Sequence, residues 1–291
     1  MSNHKIISLR QEAEVSNQSG TSLVGELNPS FRIVEIFESL QGEGYNTGMP
    51  AIFIRLGRCS LACSWCDTDY LTYSVMTLQQ ILDAISGYTA RNIIITGGEP
   101  SIHPHLDVLL TVLKQQGYFL CIESNALHEI SPLIDYIAVS PKYCYSSRYT
   151  QHIIAKADEV RIVVDPMKTG LPPVTSATSS LSKIEKDAGE MQEKLSLAEQ
   201  MTSANNEALQ GLASQMVNAD IEQEFINWCL WVTQHLKAKH YFLSPLEVNG
   251  EMNILQTIAL VGHLNKQHYA NPEKYPHWQL SIQTHKFAHI Q

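Results

Sequence analysis

The stretch RLGRCSLACSWCDT, residues 55–68, carries three cysteines in the spacing C-x3-C-x2-C, at Cys59, Cys63 and Cys66. Thiolates are the usual ligands of iron–sulfur clusters, which normally take four of them. Three thiolates this close together can cap three irons of a 4Fe–4S cluster and leave the fourth iron open. The spacing therefore predicts a 4Fe–4S cluster whose fourth iron binds a small molecule.

A zinc site is the alternative interpretation of these cysteines. A structural zinc takes four ligands, usually as two separated pairs, and no second Cys-x2-Cys pair follows in this chain. Cys121, Cys144 and Cys229 lack the spacing, and we expect them to be buried, small apolar residues. A disulfide framework is not expected, because the chain is long, its cysteines are few and no secretory signal precedes them.

Length and charge restrict the class of protein. The 291 residues suffice for one large domain or two small ones, and the 44% hydrophobic content is that of a globular protein. The net charge of −9 argues against a nucleic-acid partner. No window approaches the roughly 18 apolar residues that span a bilayer. We therefore expect a cytoplasmic protein with no membrane partner.

Apolar runs alternate with helical patterns along most of the chain. Thr77 is placed to cap one helix, and Pro104 to open a second helix that Gly117 ends. This alternation predicts a parallel sheet with crossover helices, in the form of an α/β open, partial (β/α) barrel with its chemistry at the carboxyl ends of the strands. The predicted strands are residues 31–37, 51–56, 92–96, 118–123, 136–140, 160–164, 241–245 and 278–283, and later helices are predicted over 224–236 and 253–265.

Two segments depart from this pattern: one precedes the predicted domain, residues 31–291, and the other interrupts it. Residues 1–30 are polar, and we expect a flexible N-terminal extension. Residues of about 169–220 are rich in Ser, Ala, Gln, Glu and Lys and contain no aromatic side chain, so they can bury little surface. We expect a mobile, helical insertion there. The alternative interpretation is that this segment docks a partner.

The segment TGGEP, residues 96–100, follows the cysteines at the end of a predicted strand. Two glycines allow a backbone to approach a ligand closely, and the Glu99 carboxylate can accept from an ammonium group. Together with the cysteine spacing, this segment resembles the radical S-adenosylmethionine (SAM) superfamily. The resemblance implies that the open iron and the GGEP segment hold SAM, and that SAM yields a 5′-deoxyadenosyl radical.

Longer segments resemble one family of that superfamily, the 7-carboxy-7-deazaguanine synthases. They are residues 38–70, which include LQGEG and CDT, YTARNIIITGGEPSIH at 88–103, VSPK at 139–142 and SIQTHKFAHI at 281–290. The resemblance implies conversion of 6-carboxy-5,6,7,8-tetrahydropterin into 7-carboxy-7-deazaguanine with loss of ammonia, on the route to 7-deazapurines such as queuosine. It covers residues 31–165 and about 225–291.

The resemblance also implies roles for single residues. Arg55 and Glu99 are the expected catalytic residues; a forked guanidinium suits the substrate carboxylate, and Thr68 is expected to bind Mg²⁺ beside it. A surface ion pair for Arg55, a turn position for Thr68 and simple packing for His285 are the alternatives. The expected substrate-binding residues are Leu40, Gln41, Gly42, Arg55, Thr96, Gln283, His285 and Gln291, and the expected SAM-binding residues are Gly98, Glu99, Asn125, Ser140, Pro141 and Lys142.

Partners follow from the same resemblance. It implies a homodimer, a small-molecule pterin substrate and an electron donor of the flavodoxin or ferredoxin type. One alternative is a radical SAM activating enzyme that generates a glycyl radical on a partner protein, and conversion of the tetrahydropterin distinguishes the two. Another is a non-catalytic iron–sulfur or zinc module, which would not cleave SAM.

Overall fold

The structure is a computed structural model that describes residues 28–165, 222–248, 250–288 and 290. The predicted insertion at about 169–220 and the expected substrate ligand Gln291 lie outside the described residues. So does the predicted N-terminal extension, apart from residues 28–30. These three expectations therefore stay predictions.

Most described strands belong to one sheet. They are β1 (Ser30–Leu40), β2 (Pro50–Leu56), β3 (Ser74–Thr77), β4 (Asn92–Gly97), β5 (Phe119–Ser124), β6 (Tyr136–Val139), β7 (Glu159–Val164), β8 (His240–Pro245), β9 (Glu247–Val248), β10 (Glu251–Met252) and β11 (Trp278–Leu280). Within the described ranges, nine of them form a sheet in the order β11-β8-β7-β6-β5-β4-β2-β1-β3, and β9 pairs with β10.

Helices lie between these strands. They are α1 (Leu78–Ile85), α2 (Leu106–Gln115), α3 (Ser146–Tyr149), α4 (residues 222–235), α5 (Ile254–Ala270) and α6 (Thr284–Ala288), with 3-10 turns at Pro100–Ile102 and Tyr143–Tyr145. None of the helices described here is long and apolar enough to cross a membrane.

Helix boundaries follow the predicted caps with one exception. The Thr77 hydroxyl accepts from the Gln80 amide, and the Gln80 side chain accepts from the Thr77 amide, so the predicted cap of α1 is confirmed as a capping box. The prediction for Pro104 is wrong, because α2 begins only after an N-cap at His105. Pro100, capped by Glu99, instead opens the preceding 3-10 turn.

The sheet is parallel from β2 to β11 but not at its other edge. β1 pairs antiparallel with both β2 and β3, so the prediction of a purely parallel sheet is wrong there. The reason is the short connection of residues 41–49 between β1 and β2, since a parallel pairing needs a crossover of a dozen or more residues. No pairing joins β11 to β3 in the described sheet, and the predicted open, partial barrel is confirmed.

Alternate side chains of each strand face opposite sides of this sheet. On β2, Ile52 and Ile54 pack with α1 and α2, and on β7, Val160 and Ile162 pack with α4 and α5. The apolar core therefore lies between the sheet and its helices. The alternate residues of these strands, such as Arg55 on β2, face the other, inner side of the sheet.

Two exposed glycines give opposite predictions for stability. A Cβ on Gly262, inside α5, meets nothing within 4 Å, and the same is true of Gly117, which follows α2 with a φ of +80°. Gly262→Ala should stabilise the protein by about 0.5–1 kcal/mol, because glycine loses more backbone entropy in a helix. Gly117→Ala should destabilise it by about 1 kcal/mol, because its φ is left-handed.

Urea unfolding measures both changes as shifts of the unfolding midpoint, provided that the variants and the wild type have equal m-values. A lower midpoint for Gly262→Ala than for the wild type would contradict the described course of α5.

Candidate active site

The carboxyl ends of the parallel strands surround a cavity of about 530 Å³. Parallel strands bring their carboxyl ends to one edge, which is where ligands bind in such sheets. The predicted site residues that line the cavity are Leu40, Gln41, Gly42, Arg55, Cys59, Cys63, Cys66, Thr68, Thr96, Asn125, Ser140, Lys142, Gln283 and His285. Gly98, Glu99 and Pro141 are not among its lining residues.

The cysteine loop follows β2 and forms one wall of this cavity. The Cys59 sulfur accepts from the Leu61 amide at 3.4 Å, and the Cys66 thiol donates to the Thr68 carbonyl at 3.6 Å. Burial raises the pKa of the Cys59 thiol, so iron binding has to displace a firmly held proton.

The donor set of this wall fits an iron–sulfur cluster. In the described part of the chain, no three His, Cys, Asp or Glu side chains converge as they would on a single metal ion. A cluster does not need such convergence, because each of its cysteines binds a different iron. The three thiols that line this cavity are the donor type that such a cluster takes, and their role as its ligands stays a prediction.

A fourth cysteine lies beside this wall. The neighbouring Cys144 side chain and burial raise the pKa of Cys63, whereas the neighbouring Cys63 side chain lowers the pKa of Cys144 to about 7 against the effect of burial. Cys121 and Cys229 are buried as predicted, but Cys144 is exposed. The prediction that Cys144 is a buried apolar residue is wrong, because Cys144 lies in the 3-10 turn Tyr143–Tyr145, which has no buried residue.

The GGEP segment is fixed against the start of the cysteine loop. The Gly98 amide donates to the Leu56 carbonyl at 3.0 Å, and the Glu99 amide donates to the Arg58 carbonyl at 2.9 Å. A side chain at Gly98 would collide with that same Arg58 carbonyl. The two loops therefore depend on each other for their positions.

Glu99 is only 1% exposed and lies behind the cavity lining. Its carboxylate accepts from the amide and hydroxyl of Ser101, from the Ser124 hydroxyl at 2.9 Å and from the Asn125 amide at 2.6 Å. These bonds connect the ends of β4 and β5. Its expected contact with SAM stays a prediction.

Residues that follow β5 and β6 contact the cysteine loop. Asn125 donates from its side-chain amide to the Ser60 hydroxyl at 3.0 Å. The Lys142 ammonium donates to the Ser140 hydroxyl at 2.7 Å and lies 5.2 Å from the centroid of the Trp65 ring. The predicted SAM residues Asn125, Ser140 and Lys142 are thus brought to the cysteine side of the cavity.

The opposite side holds a cluster that was not predicted, here called the Arg161 cluster. The Arg161 guanidinium pairs with Glu43 at 3.0 Å, with Glu123 at 2.7 Å and with Glu159 at 2.8 Å. Two signals in the sequence could have found it: an arginine inside the apolar run VRIVV, and the acidic residue of ESN at the end of β5. A charge inside a buried strand requires a partner.

Glu123 is the member of the Arg161 cluster that also contacts predicted substrate residues. Its carboxylate accepts from the Thr96 hydroxyl at 2.7 Å and from the Gln41 amide at 3.1 Å. Burial alone would raise the pKa of Glu123, but the charge of Arg161 and the hydrogen bonds from Arg161, Thr96 and Gln41 lower it to about 2. Glu123 therefore faces the cavity as a carboxylate.

Arg55 and Thr68 meet at the mouth of the cavity. Arg55 lies in register with Thr96 on the neighbouring strand, pairs through Nε with Glu35 at 2.7 Å and reaches the Thr68 hydroxyl through Nη1 at 3.5 Å. Its Nη2 has no hydrogen-bond partner among the residues that the structure describes. The guanidinium can thus bind an anion while keeping its ion pair.

The segment after β11 contributes to the lining of the cavity. The Thr284 amide and hydroxyl both donate to the Gly42 carbonyl at 2.9 Å, and the Gln283 side chain donates to Glu43 at 2.8 Å. A side chain at Gly42 would collide with the ring of His285. The predicted residues Gly42, Gln283 and His285 are therefore brought together.

Comparison with known proteins identifies similar chains. Residues 53–141 match the Radical SAM superfamily. A 7-carboxy-7-deazaguanine synthase from Neisseria meningitidis serogroup B is 45% identical over 264 residues, which cover 91% of this chain and 96% of that protein. A protein of the same name from Haemophilus influenzae is 40% identical over 266 residues, with coverage of 91% and 97%.

A solved structure is similar in fold. The crystal structure of QueE from Escherichia coli aligns with a TM-score of 0.50 and 24% sequence identity, and covers 91% of this chain and 98% of that chain. At this identity the likeness concerns the architecture of the sheet and its helices.

The contact between the two loops gives a prediction for the cluster site. Gly98→Ala should displace the Arg58 carbonyl and the cysteines that follow it, and we expect a several-fold loss of iron per chain after anaerobic reconstitution. Gly87→Ala is the matched control, because a Cβ there meets nothing within 4 Å. Iron content of folded protein measures both, and equal iron in the two variants would contradict the described contact.

Proposed function

Because the chain belongs to the 7-carboxy-7-deazaguanine synthase family of radical SAM enzymes, we propose that it converts 6-carboxy-5,6,7,8-tetrahydropterin into 7-carboxy-7-deazaguanine with loss of ammonia. One observation carries this proposal: the same cavity is lined by the three cysteines and by Glu43, Glu123 and Arg161 of the Arg161 cluster. Cofactor and a small polar substrate can therefore lie side by side in it.

Cys59, Cys63 and Cys66 would hold three irons of the 4Fe–4S cluster that this enzyme family uses with SAM. When bound, that pair supplies a 5′-deoxyadenosyl radical able to remove hydrogen from the substrate. The chain itself contributes the thiolates, the Leu61 amide that donates to Cys59, and the exclusion of water.

SAM would lie over the ends of β4, β5 and β6. Asn125, Ser140 and Lys142 line this part of the cavity, and their amide, hydroxyl and ammonium groups can bind the carboxylate and ribose hydroxyls of SAM. Gly98, Glu99 and Pro141 would act through backbone groups or from behind these residues. Glu99 in particular holds the Asn125 amide in place.

The two ends of the substrate would bind groups of opposite charge. Its guanidine-like amino-pyrimidinone edge is rich in N–H donors, which a carboxylate such as Glu123 can accept in charge-assisted hydrogen bonds. Gln41 and Thr96 already contact Glu123 and would line the same subsite with Leu40 and Gly42. At the other end, Arg55 would bind the substrate carboxylate.

Gln283 and His285 would cover the bound substrate, because the segment that carries them is fixed to Gly42 and Glu43. We also propose that Gln291 completes this cover through its carboxylate. A homodimer and a flavodoxin- or ferredoxin-type electron donor remain part of the proposal through the family resemblance alone, as does a cytoplasmic location.

The deciding experiment is anaerobic reconstitution of the full chain, followed by incubation with SAM, dithionite and the tetrahydropterin. Mass analysis should find 7-carboxy-7-deazaguanine, and Cys63→Ala should give none, because it lacks a cluster ligand. If 5′-deoxyadenosine forms while the pterin stays unchanged, the chain is a radical SAM enzyme with another substrate, such as a partner protein.

Glu123 gives a prediction for substrate binding. Glu123→Gln should raise KM for the pterin by about tenfold or more, since an unpaired buried donor costs roughly 1–3 kcal/mol. Glu129→Gln is the matched control, because the Glu129 side chain is exposed and does not line the cavity. Steady-state kinetics with matched cluster content measure both, and an unchanged KM in Glu123→Gln would contradict this subsite.

Magnesium gives a second prediction. Thr68 offers one oxygen and lies near a guanidinium, so a Mg²⁺ ion there would need oxygens from the substrate carboxylate. We expect Mg²⁺ to bind measurably only with pterin present, and Thr68→Ala to raise the Mg²⁺ concentration needed for half-maximal turnover. Thr150→Ala, whose hydroxyl donates to the Ser147 carbonyl, is the control, and turnover independent of Mg²⁺ in the wild type would contradict the site.

A further inference from the structure

Glu35 is a charged residue of the cavity lining to which the proposed function gives no role. It lies on β1, directly opposite Arg55 in the antiparallel pairing with β2. Its Oε1 accepts from the Arg55 Nε at 2.7 Å, and the side chains of Arg55 and Glu35 are 24% and 33% exposed. Both residues line the cavity. The ion pair therefore belongs to the cavity wall and not to the outer surface.

A β-bulge turns Glu35 toward the cavity. Ile33 pairs with Leu56, but Glu35, two residues further along β1, pairs with Arg55, which is only one residue away on β2. An extra residue in one strand is a bulge, and bulges next to active sites re-aim side chains. Ile33 packs in the apolar core between the sheet and its helices, and in a regular strand Glu35 would face the same side. The bulge instead places Glu35 on the face that Arg55 occupies.

The Arg55 guanidinium is restrained by three contacts. Glu35 accepts from Nε, and the Thr68 hydroxyl lies 3.5 Å from Nη1. The Arg55 Cζ lies 5.9 Å from the centroid of the Phe37 ring, which is itself stacked on Phe53. The contact with Glu35 is the shortest of the three and joins opposite charges. Because Nε is occupied, the donors left for a ligand are those on Nη1 and Nη2.

The orientation of a guanidinium decides how well it binds a carboxylate. Two parallel N–H donors meet the two carboxylate oxygens only when the planar fork presents the correct edge. An unrestrained arginine side chain loses rotamer entropy when a ligand orders it. A partner that holds the guanidinium beforehand removes part of this cost. Glu35 can therefore strengthen substrate binding without touching the substrate.

We propose that Glu35 is a positioning residue, which holds Arg55 by Nε so that its Nη1 and Nη2 donors bind the substrate carboxylate. The inference rests on the proposed function, in which Arg55 binds that carboxylate. Glu35 is also an anion, and by its charge alone it would repel the substrate. This repulsion is weak, because Glu35 is paired with Arg55 and a third of its side chain is exposed to screening by water and salt.

The two effects of Glu35 have opposite signs, which makes them separable. The test uses the full chain, reconstituted anaerobically, as wild type, Glu35→Gln, Glu35→Ala and Glu273→Gln. Glu35→Gln loses the charge but keeps an oxygen that can accept from Nε, whereas Glu35→Ala loses both. Glu273 is exposed and does not line the cavity, so Glu273→Gln is the matched control.

Two ligands that differ only in the carboxylate provide the readout. Steady-state kinetics at matched cluster content give kcat and KM for 6-carboxy-5,6,7,8-tetrahydropterin. Inhibition of that turnover by 5,6,7,8-tetrahydropterin, which lacks the carboxylate, gives an inhibition constant. A group that acts through Arg55 should affect the first ligand and not the second.

Glu35→Ala should raise KM for the carboxylated pterin by about tenfold, because the binding group is no longer held in place. Glu35→Gln should raise it less, and kcat should change less than KM in both variants. The inhibition constant of tetrahydropterin should keep its wild-type value in both, since that ligand offers Arg55 no carboxylate. Glu273→Gln should match the wild type for both ligands.

A KM in Glu35→Ala equal to or below that of the wild type would overturn the inference, because Arg55 would then bind the carboxylate as well without its partner. Equal rises of KM and of the inhibition constant would also overturn it, because they would reflect a general disturbance of the cavity. Either result with normal pterin turnover in the wild type leaves the proposed function standing. A wild type that does not convert the pterin contradicts the proposed function itself.

Discussion

The Arg161 cluster is the interaction on which the rest of the cavity depends. The guanidinium links β7 to the β1–β2 connection through Glu43 and to β5 through Glu123. Removal of one partner from a buried ion pair typically costs about 3–5 kcal/mol. Glu43 in turn holds Gln283, so the same network fixes the segment that covers the cavity.

How far the sequence predicted this structure depends on whether a feature is local. The Thr77 cap and the buried runs such as NIIIT each depend on neighbours within a few positions, and these predictions agree with the elements observed. The sheet direction at β1 was predicted wrongly because the pattern of apolar residues does not encode which way a strand runs. The length of the β1–β2 connection does indicate the direction of β1 relative to β2, and this signal was overlooked.

The parts of the candidate site that were missed involve contacts between distant residues. Glu43 and Arg161 are 118 positions apart, and Cys63 and Cys144 are 81 positions apart. No spacing rule connects such pairs, and only the sheet brings them together. Arg161 could still have been flagged as a charge within an apolar run, whereas nothing in the sequence around Cys144 distinguishes it from Cys121.

The bonds between residues 42–44 and 281–284 have a consequence for how the protein is made. Gly42, Gly44 and their partners Thr284 and Ser281 are about 240 positions apart. A ribosome adds roughly 5–20 residues per second, so tens of seconds separate the synthesis of the two sides. During that interval the cysteine loop exists without its cover. The segment of residues 281–284 is therefore added to the site only after the cysteine loop has long been made.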